Sequence, residues 1–261
     1  MWLKRYLLLA FIGLFSSLAN SQTVIKVGGY EFPPFVNTKN KEGFNGATLD
    51  LIKALNKTQS EYVFEFFPTS SKRRYLDFSE GRYDLIMFEN IAWGWESQSV
   101  EASNTFMEGG EIYIAYKREG RDQSFFEGME DKRMVGILGY HYGFANFNAD
   151  ESFLSDNFDV LLSTDHLKNI RLILTNRPEL AEIAVVTRSF LGEYLSEHPE
   201  HRKELLISEK FDQEYHHSIL VRKQGVISVE QVNVLLNQLE SDSVIQRLRK
   251  RYGIESLGEA Q

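Results

Sequence analysis

The hydrophobic pattern of the chain begins with Val24-Ile25-Lys26-Val27-Gly28-Gly29, a short apolar stretch that reads as a strand running into a turn. Pro33 and Pro34 follow within Tyr30-Glu31-Phe32-Pro33-Pro34-Phe35, where they forbid both a helix and a central strand. Thr48, Leu51, Ile52 and Leu55 then recur at helical spacing. Tyr62 to Phe67 reads as a strand, and Ser70 or Ser71 caps a helix that runs to Glu80, with Gly81 at its end. Asp84–Phe88 reads as the strand that closes the unit. Strands alternating with helices in this way predict a parallel α/β sheet.

The same rhythm returns further on. Lys132 to Leu138 and Phe158 to Leu162 read as strands, Ser163 or Thr164 caps a helix through Leu174, and Ile183 to Val186 is another strand. Asn176-Arg177-Pro178-Glu179-Leu180-Ala181 sits in this second unit where Gly81-Arg82-Tyr83-Asp84-Leu85-Ile86 sits in the first. Between the units Glu111 to Lys117 alternates like an exposed strand, and Ser218 to Lys223 matches it as a return. Val229, Val232, Leu235, Leu236 and Leu239 form a helical stripe that Val244, Ile245, Leu248 and Tyr252 continue. The expected architecture is α/β and two-lobed, each lobe a mainly parallel sheet flanked by helices, joined by two crossing strands. Lobe 1 is expected over 22–112, a hinge crossing over 113–117, lobe 2 over 118–212, a return crossing over 213–222, and helices packing back on lobe 1 over 223–261. Two crossings make a hinge, and a hinge between lobes makes a cleft.

The ends and the charge place this architecture in a compartment. Lys4 and Arg5 precede an apolar run from Tyr6 to Phe15 and then small residues, so residues 1–21 read as a secretory signal peptide. The run is too short to span a bilayer comfortably. The chain has no cysteine, so neither a lipidated thiol nor a disulfide is expected. A periplasmic protein without a lipid anchor follows. The 29 Lys+Arg against 37 Asp+Glu give a net charge of -8, and removal of Lys4 and Arg5 leaves 27 against 37, or -10. That balance disfavours nucleic acid and anionic membranes as partners.

Candidate chemistry concentrates where the first unit's last strand ends. Asp84 to Glu96, DLIMFENIAWGWE, starts as a buried strand and ends in Trp93, Trp95 and two carboxylates, Glu89 and Glu96. Strand packing asks for none of these, and aromatic walls are typical of ligand clefts. Arg73 and Arg74 open a helix, where a cation gains nothing from the dipole, which makes one of them a binding candidate. Gly139-Tyr140-His141-Tyr142 follows a strand of the second unit and is expected to face the cleft. His198-Pro199-Glu200-His201 holds two imidazoles three apart, but its charged surroundings read as a solvated helix start, and neither metal nor cofactor is expected. The chain has no Gly-x-Ser-x-Gly, no His-Glu-x-x-His and no phosphate loop.

The order VGGYEFPPF, GFNGATLDLIKAL, SEGRYDLIMF, EIYIAYK, VGILGYHYG, SILVRK and VNVLLNQLESDSVIQRLRKRYG resembles the periplasmic solute-binding proteins of ABC importers, in the polar amino-acid-binding branch. The resemblance covers nearly all of the chain after the leader. It implies a monomer that closes two lobes on a small-molecule ligand, does no chemistry, and serves an inner-membrane ABC permease or a sensor. Tyr30 and Phe35 resemble that family's aromatic wall. Glu96 falls where its amino-acid binders keep an arginine for the ligand carboxylate, and Thr187-Arg188-Ser189 stands where they keep an aspartate for the ammonium. The resemblance thus implies a clamp with its charges inverted at Glu96 and Arg188, poor for an ordinary zwitterion. Glu89 and Glu96 beside two indoles suit a cation; Arg188 or Arg74 suits an anionic group; the tryptophans also suit flat rings. The cyclohexadienyl dehydratases resemble the same family, so a periplasmic lyase using Glu89 or Glu96 as its acid is the alternative.

Overall fold

The computed structural model describes residues 22–38 and 43–254. The expected leader, 1–21, and the last residues of the expected C-terminal segment lie outside them. Among the described residues nine strands form one hydrogen-bonded sheet. They are β1 (Thr23–Gly29), β2 (Tyr62–Pro68), β3 (Leu85–Glu89), β4 (Val100–Ala102), β5 (Met107–Tyr116), β6 (Met134–Ile137), β7 (Val160–Ser163), β8 (Ile183–Thr187) and β9 (Leu205–Arg222). The helices are α1 (Ala47–Thr58), α2 (Arg74–Ser79), α3 (Glu151–Asn157), α4 (His166–Leu174), α5 (Arg188–Glu197), α6 (Val229–Ser241) and α7 (Val244–Arg251).

The path runs β2-β1-β3-β9-β5-β8-β6-β7, with β4 also on β9. In the first half β1 pairs in parallel with β2 and β3; in the second, β6 pairs in parallel with β7 and β8. The 18-residue β9 joins the halves, its first part antiparallel to β5 and its last residues antiparallel to β3 and β4.

The passage between the sheets therefore differs from expectation. Residues 113–117 are no crossing: Tyr113, Ile114 and Ala115 pair with Val185, Ala184 and Ile183 inside the second sheet. Their alternation reflects a strand covered on both faces rather than an exposed ribbon. The chain passes outward at 103–106, where Ser103 N donates to Ile219 O (2.9 Å) and Phe106 N to His217 O (3.1 Å). The return is likewise divided: residues up to His217 stay on β5, and only Ser218 to Arg222 enter the first sheet.

Two helix starts also shift. α2 begins at Arg74, since Ser70 Oγ accepts only from Arg73 N, at 3.2 Å. α4 is capped by Asp165, which accepts from Leu167 N and Lys168 N, while Ser163 is still strand. α1 buries Thr48, Leu51, Ile52 and Leu55, the stripe the spacing predicts. The C-terminal helices bury Val232, Leu236, Leu239, Ile245 and Leu248 in the same core as α1. Tyr252 Oη donates to Asp50 at 2.7 Å, which ties the residue after α7 to α1.

Backbone geometry sets the entrance to the region between the sheets. Gly46 sits at φ 120°, ψ -178°, ahead of α1. A Cβ there would lie 2.5 Å from Phe35 O, so glycine alone lets the Pro34–Phe35 backbone approach α1. In β3 the pairing with β9 slips between Ile86 and Glu89, and Phe88 takes φ 59°. This bulge breaks the alternation and leaves all five residues of β3 buried, Glu89 included.

Candidate functional site

The floor of the site is the pair of long antiparallel strands. Side chains two apart share a strand face, and on β5 the face of Met107, Tyr113 and Ala115, all in the larger core, also carries Glu111. On β9 the matching face carries Gln213, Tyr215 and His217, and Glu111 pairs with Gln213. Gly109 lets the Tyr215 ring lie flat on β5, because a Cβ there would come within 2.4 Å of it.

The first sheet supplies one wall. Arg74, the first residue of α2, is 1% exposed and its Nε lies 3.4 Å from Oε1 of the fully buried Glu89. Its guanidinium carbon stands 4.7 Å from the Tyr30 ring centroid and 4.4 Å from that of Tyr75. Burial opposes the charge on Arg74, but Tyr30 and Glu89 more than offset it, so its pKa is raised and it stays a cation. Burial pushes the Glu89 carboxyl up, against Arg74 and the indole N–H of Trp95, which donates to Glu89 Oε2 at 2.8 Å. Trp93 turns the other way, its Nε1 donating to Gln213 Oε1 at 3.0 Å.

The second sheet supplies the opposite wall through the loop after β6. Tyr140 donates to Glu31 O at 3.0 Å and packs edge-on against Phe32. His141 lies with Nδ1 2.6 Å from Phe147 O and Nε2 2.8 Å from Tyr75 Oη. The carbonyl makes Nδ1 the protonated nitrogen. Burial and the Arg74 charge push the His141 pKa down to about 4, so the ring is neutral at pH 7. Asp212 anchors this loop by accepting from Gly143 N, Phe144 N and the Tyr113 hydroxyl. The lobes are thus in contact, with further polar links from Ser71 Oγ to Leu138 O (2.8 Å) and from Lys72 to Glu151.

Between these walls lies a cavity of about 10 Å³, lined by Tyr30, Phe32, Arg74, Trp93, Glu111, Tyr140, His141 and Gln213. That is room for about one water, against about 300 Å³ or more in a typical small-molecule site. Glu111 is its most unusual member. It is 1% exposed, its Oε1 accepts from Thr187 Oγ1 at 3.0 Å, and its Oε2 makes no hydrogen bond of good geometry, with the Tyr215 hydroxyl beside it. Burial pushes its pKa well above the ordinary carboxylate range.

Of the residues singled out in the sequence, Tyr30, Arg74, Trp93, Tyr140 and His141 line this cavity. Phe35, Trp95 and Glu89 sit one layer behind: Phe35 packs on Phe88 and His217, and Trp95 on Tyr75 and Phe78. Glu96 is exposed, because the turn that points Trp95 inward points its neighbour out. Arg188 also lies elsewhere, beside Glu108, Gly109, Ser189 and Gly253, because Thr187 takes the inward position and the chain turns into α5. The inverted clamp of Glu96 and Arg188 is therefore not assembled. Sequence reading missed Glu111, Gln213 and Phe32. A polar residue in step with Tyr113 and Ala115 was the available signal for Glu111. His198, Glu200 and His201 do bring ligand-type atoms within 4.8 Å of one another, on a partly exposed turn that contributes nothing to the cavity.

No protein-family model matches the chain, and no curated protein matches it in sequence. Solved structures do match in shape. A substrate-binding protein of an ABC uptake transporter from Streptococcus pneumoniae, with bound histidine, shares 18% identity at TM-score 0.68, over 90% of this chain and 93% of that one. A binding component of an ABC transporter from Wolinella succinogenes, complexed with lysine, shares 15% at TM-score 0.67, over 89% and 97%. An ancestral amino acid-binding protein, a precursor of cyclohexadienyl dehydratase, shares 19% at TM-score 0.64, over 89% and 95%. These likenesses establish the fold: two α/β lobes of the periplasmic-binding-protein type. Among the described residues no helix is long and apolar enough to cross a membrane.

Proposed function

We propose that this protein captures a small polar solute between its two lobes, outside the cytoplasm, and presents it to an ABC permease or a membrane sensor. The observation that carries this reading is the cavity at the crossing strands, walled by four aromatic rings and bordered by Arg74 and Glu111. Ligand sites favour such concave aromatic surfaces with a few convergent polar groups. The contacts that hold the lobes together there include single polar links from Tyr75, Tyr140, Ser71 and Trp93, each of which water or a solute can replace. A cavity this small must open to admit anything, and two narrow crossings suit opening. The similar structures described with histidine and lysine support an amino-acid-like solute. The leader-like start of the sequence supports export.

A binding role is favoured over a lyase because neither acid expected for catalysis is available in the cleft. Glu89 is held by Arg74 and Trp95, and Glu96 is exposed. Native mass spectrometry of the purified protein tests the proposal. The expected result is a co-purified small molecule that is recovered unchanged after incubation and that alters the emission of Trp93. A Trp93→Phe variant then loses the emission response, whereas Trp95→Phe keeps it. Conversion of the molecule into a product would replace binding by catalysis.

A further inference from the structure

We infer that Glu111 is the cation acceptor of the cleft, and that the protein selects a solute of net charge +1 carrying an amino or quaternary ammonium group. The inference rests on the solute-binding reading and adds the class of solute. Four observations carry it.

First, charge balance in the cleft leaves one place open. Arg74 and Glu89 face each other at 3.4 Å and cancel. Glu111 has no such partner. The groups acting on it are Thr187 from β8, Asp212 and Tyr215 from β9, and Tyr140 and Tyr142 from the loop after β6. None of these is a cation. Second, Glu111 lines the cavity, and its buried Oε2 makes no hydrogen bond of good geometry, although the Tyr215 hydroxyl lies beside it. A buried polar atom left in this way is costly, so a native structure that keeps one points to a use for it. Third, the surroundings suit the ionised form once a counter-charge arrives. The Thr187 hydroxyl already donates to Oε1, and the Tyr215 hydroxyl lies beside both residues without a hydrogen bond of good geometry of its own. Fourth, Tyr30, Phe32, Trp93 and Tyr140 present aromatic rings to the same space, and ring faces attract ammonium groups.

Burial favours the protonated carboxyl while no cation is present. A monocation that binds beside it takes the place of that proton, which leaves to solvent, and the cleft as a whole stays neutral. A neutral zwitterion that drew the proton off Glu111 in the same way would leave the cleft with one negative charge in excess. An anion would add a second. Buried charge without a partner is strongly disfavoured.

The test is isothermal titration of the purified full chain in phosphate and in HEPES, buffers of different ionisation enthalpy that carry no net positive charge. The probes are choline, tyramine, L-lysine and L-arginine as monocations, L-glutamine and L-phenylalanine as zwitterions, and L-glutamate and succinate as anions. The expected result is that a monocation binds best and releases about one proton per solute. Glu111→Gln keeps the shape and the Thr187 contact. It should abolish the proton release and weaken the monocation by about thirtyfold or more, with circular dichroism unchanged. Glu96→Gln, on the surface, should leave both as they are. Preferred binding of a zwitterion or an anion without proton release would overturn the inference and leave solute binding intact. Failure of every charge class to bind, with nothing co-purified, would overturn both.

Discussion

His217 makes the protein acid-sensitive in a way that one substitution can isolate. Its ring is 0% exposed and packs among Phe35 (4.6 Å between centroids), Tyr215 (4.6 Å), Phe88 (5.7 Å), Phe32 and Trp93 (6.0 Å each). Neither ring nitrogen makes a hydrogen bond of good geometry, although the Phe88 backbone lies beside it. Burial pushes its pKa from 6.5 down to about 3. The unfolded chain takes up this proton near pH 6.5 and the folded chain only near 3. The contribution to stability is therefore complete above about pH 6.5 and is lost progressively as the pH falls toward 3. From pH 7.5 to 5 the loss is about 2 kcal/mol, from 1.5 pH units at about 1.4 kcal/mol each. His141 acts in the same direction, while Glu89, Glu111 and Asp212, raised by burial, act in the opposite one. All four are common to the wild type and His217→Gln, so the difference between the two proteins reports His217 alone. Urea denaturation at pH 7.5 and 5.0 should show the variant gaining about 2 kcal/mol on the wild type at the lower pH. Parallel pH dependences in the two proteins would refute the argument, and would mean that water reaches the crossing strands.

Two further outcomes follow from the packing. Arg74→Met should destabilise the fold by about 3–5 kcal/mol, because it leaves Glu89 buried without its counter-charge, and adding Glu89→Gln should recover much of that loss in a double-mutant urea series. Gly46→Ala should cost about 1–3 kcal/mol from its backbone conformation alone, plus the clash with Phe35 O, read as a lowered midpoint of thermal unfolding.

Periodicity alone determined most of the elements. The α1 stripe of Thr48, Leu51, Ile52 and Leu55, the apolar blocks at β3 and β8, and the α6 stripe each satisfy a local rule that the tertiary structure keeps. The order of those elements was enough for two α/β lobes joined by two crossings. Where the crossings fall was not legible, because an alternating segment such as Glu111–Lys117 reads the same whether water or a second layer covers its other face. Only the pairing of β5 with both β8 and β9 decided it. The site divided along the same line. Aromatic and charged residues at strand ends marked Tyr30, Arg74, Trp93, Tyr140 and His141, since strand packing does not ask for them there. Which neighbour points inward depends on a single step of the backbone, and that step sent Trp95 in and Glu96 out, and Thr187 in and Arg188 out. Glu111 came to the cavity from a strand interior in the second sheet, brought into one lining with Arg74 by a fold that joins residues far apart in the chain. Local sequence carries no record of such a distance; the long β9 and its pairing with β5 supply it.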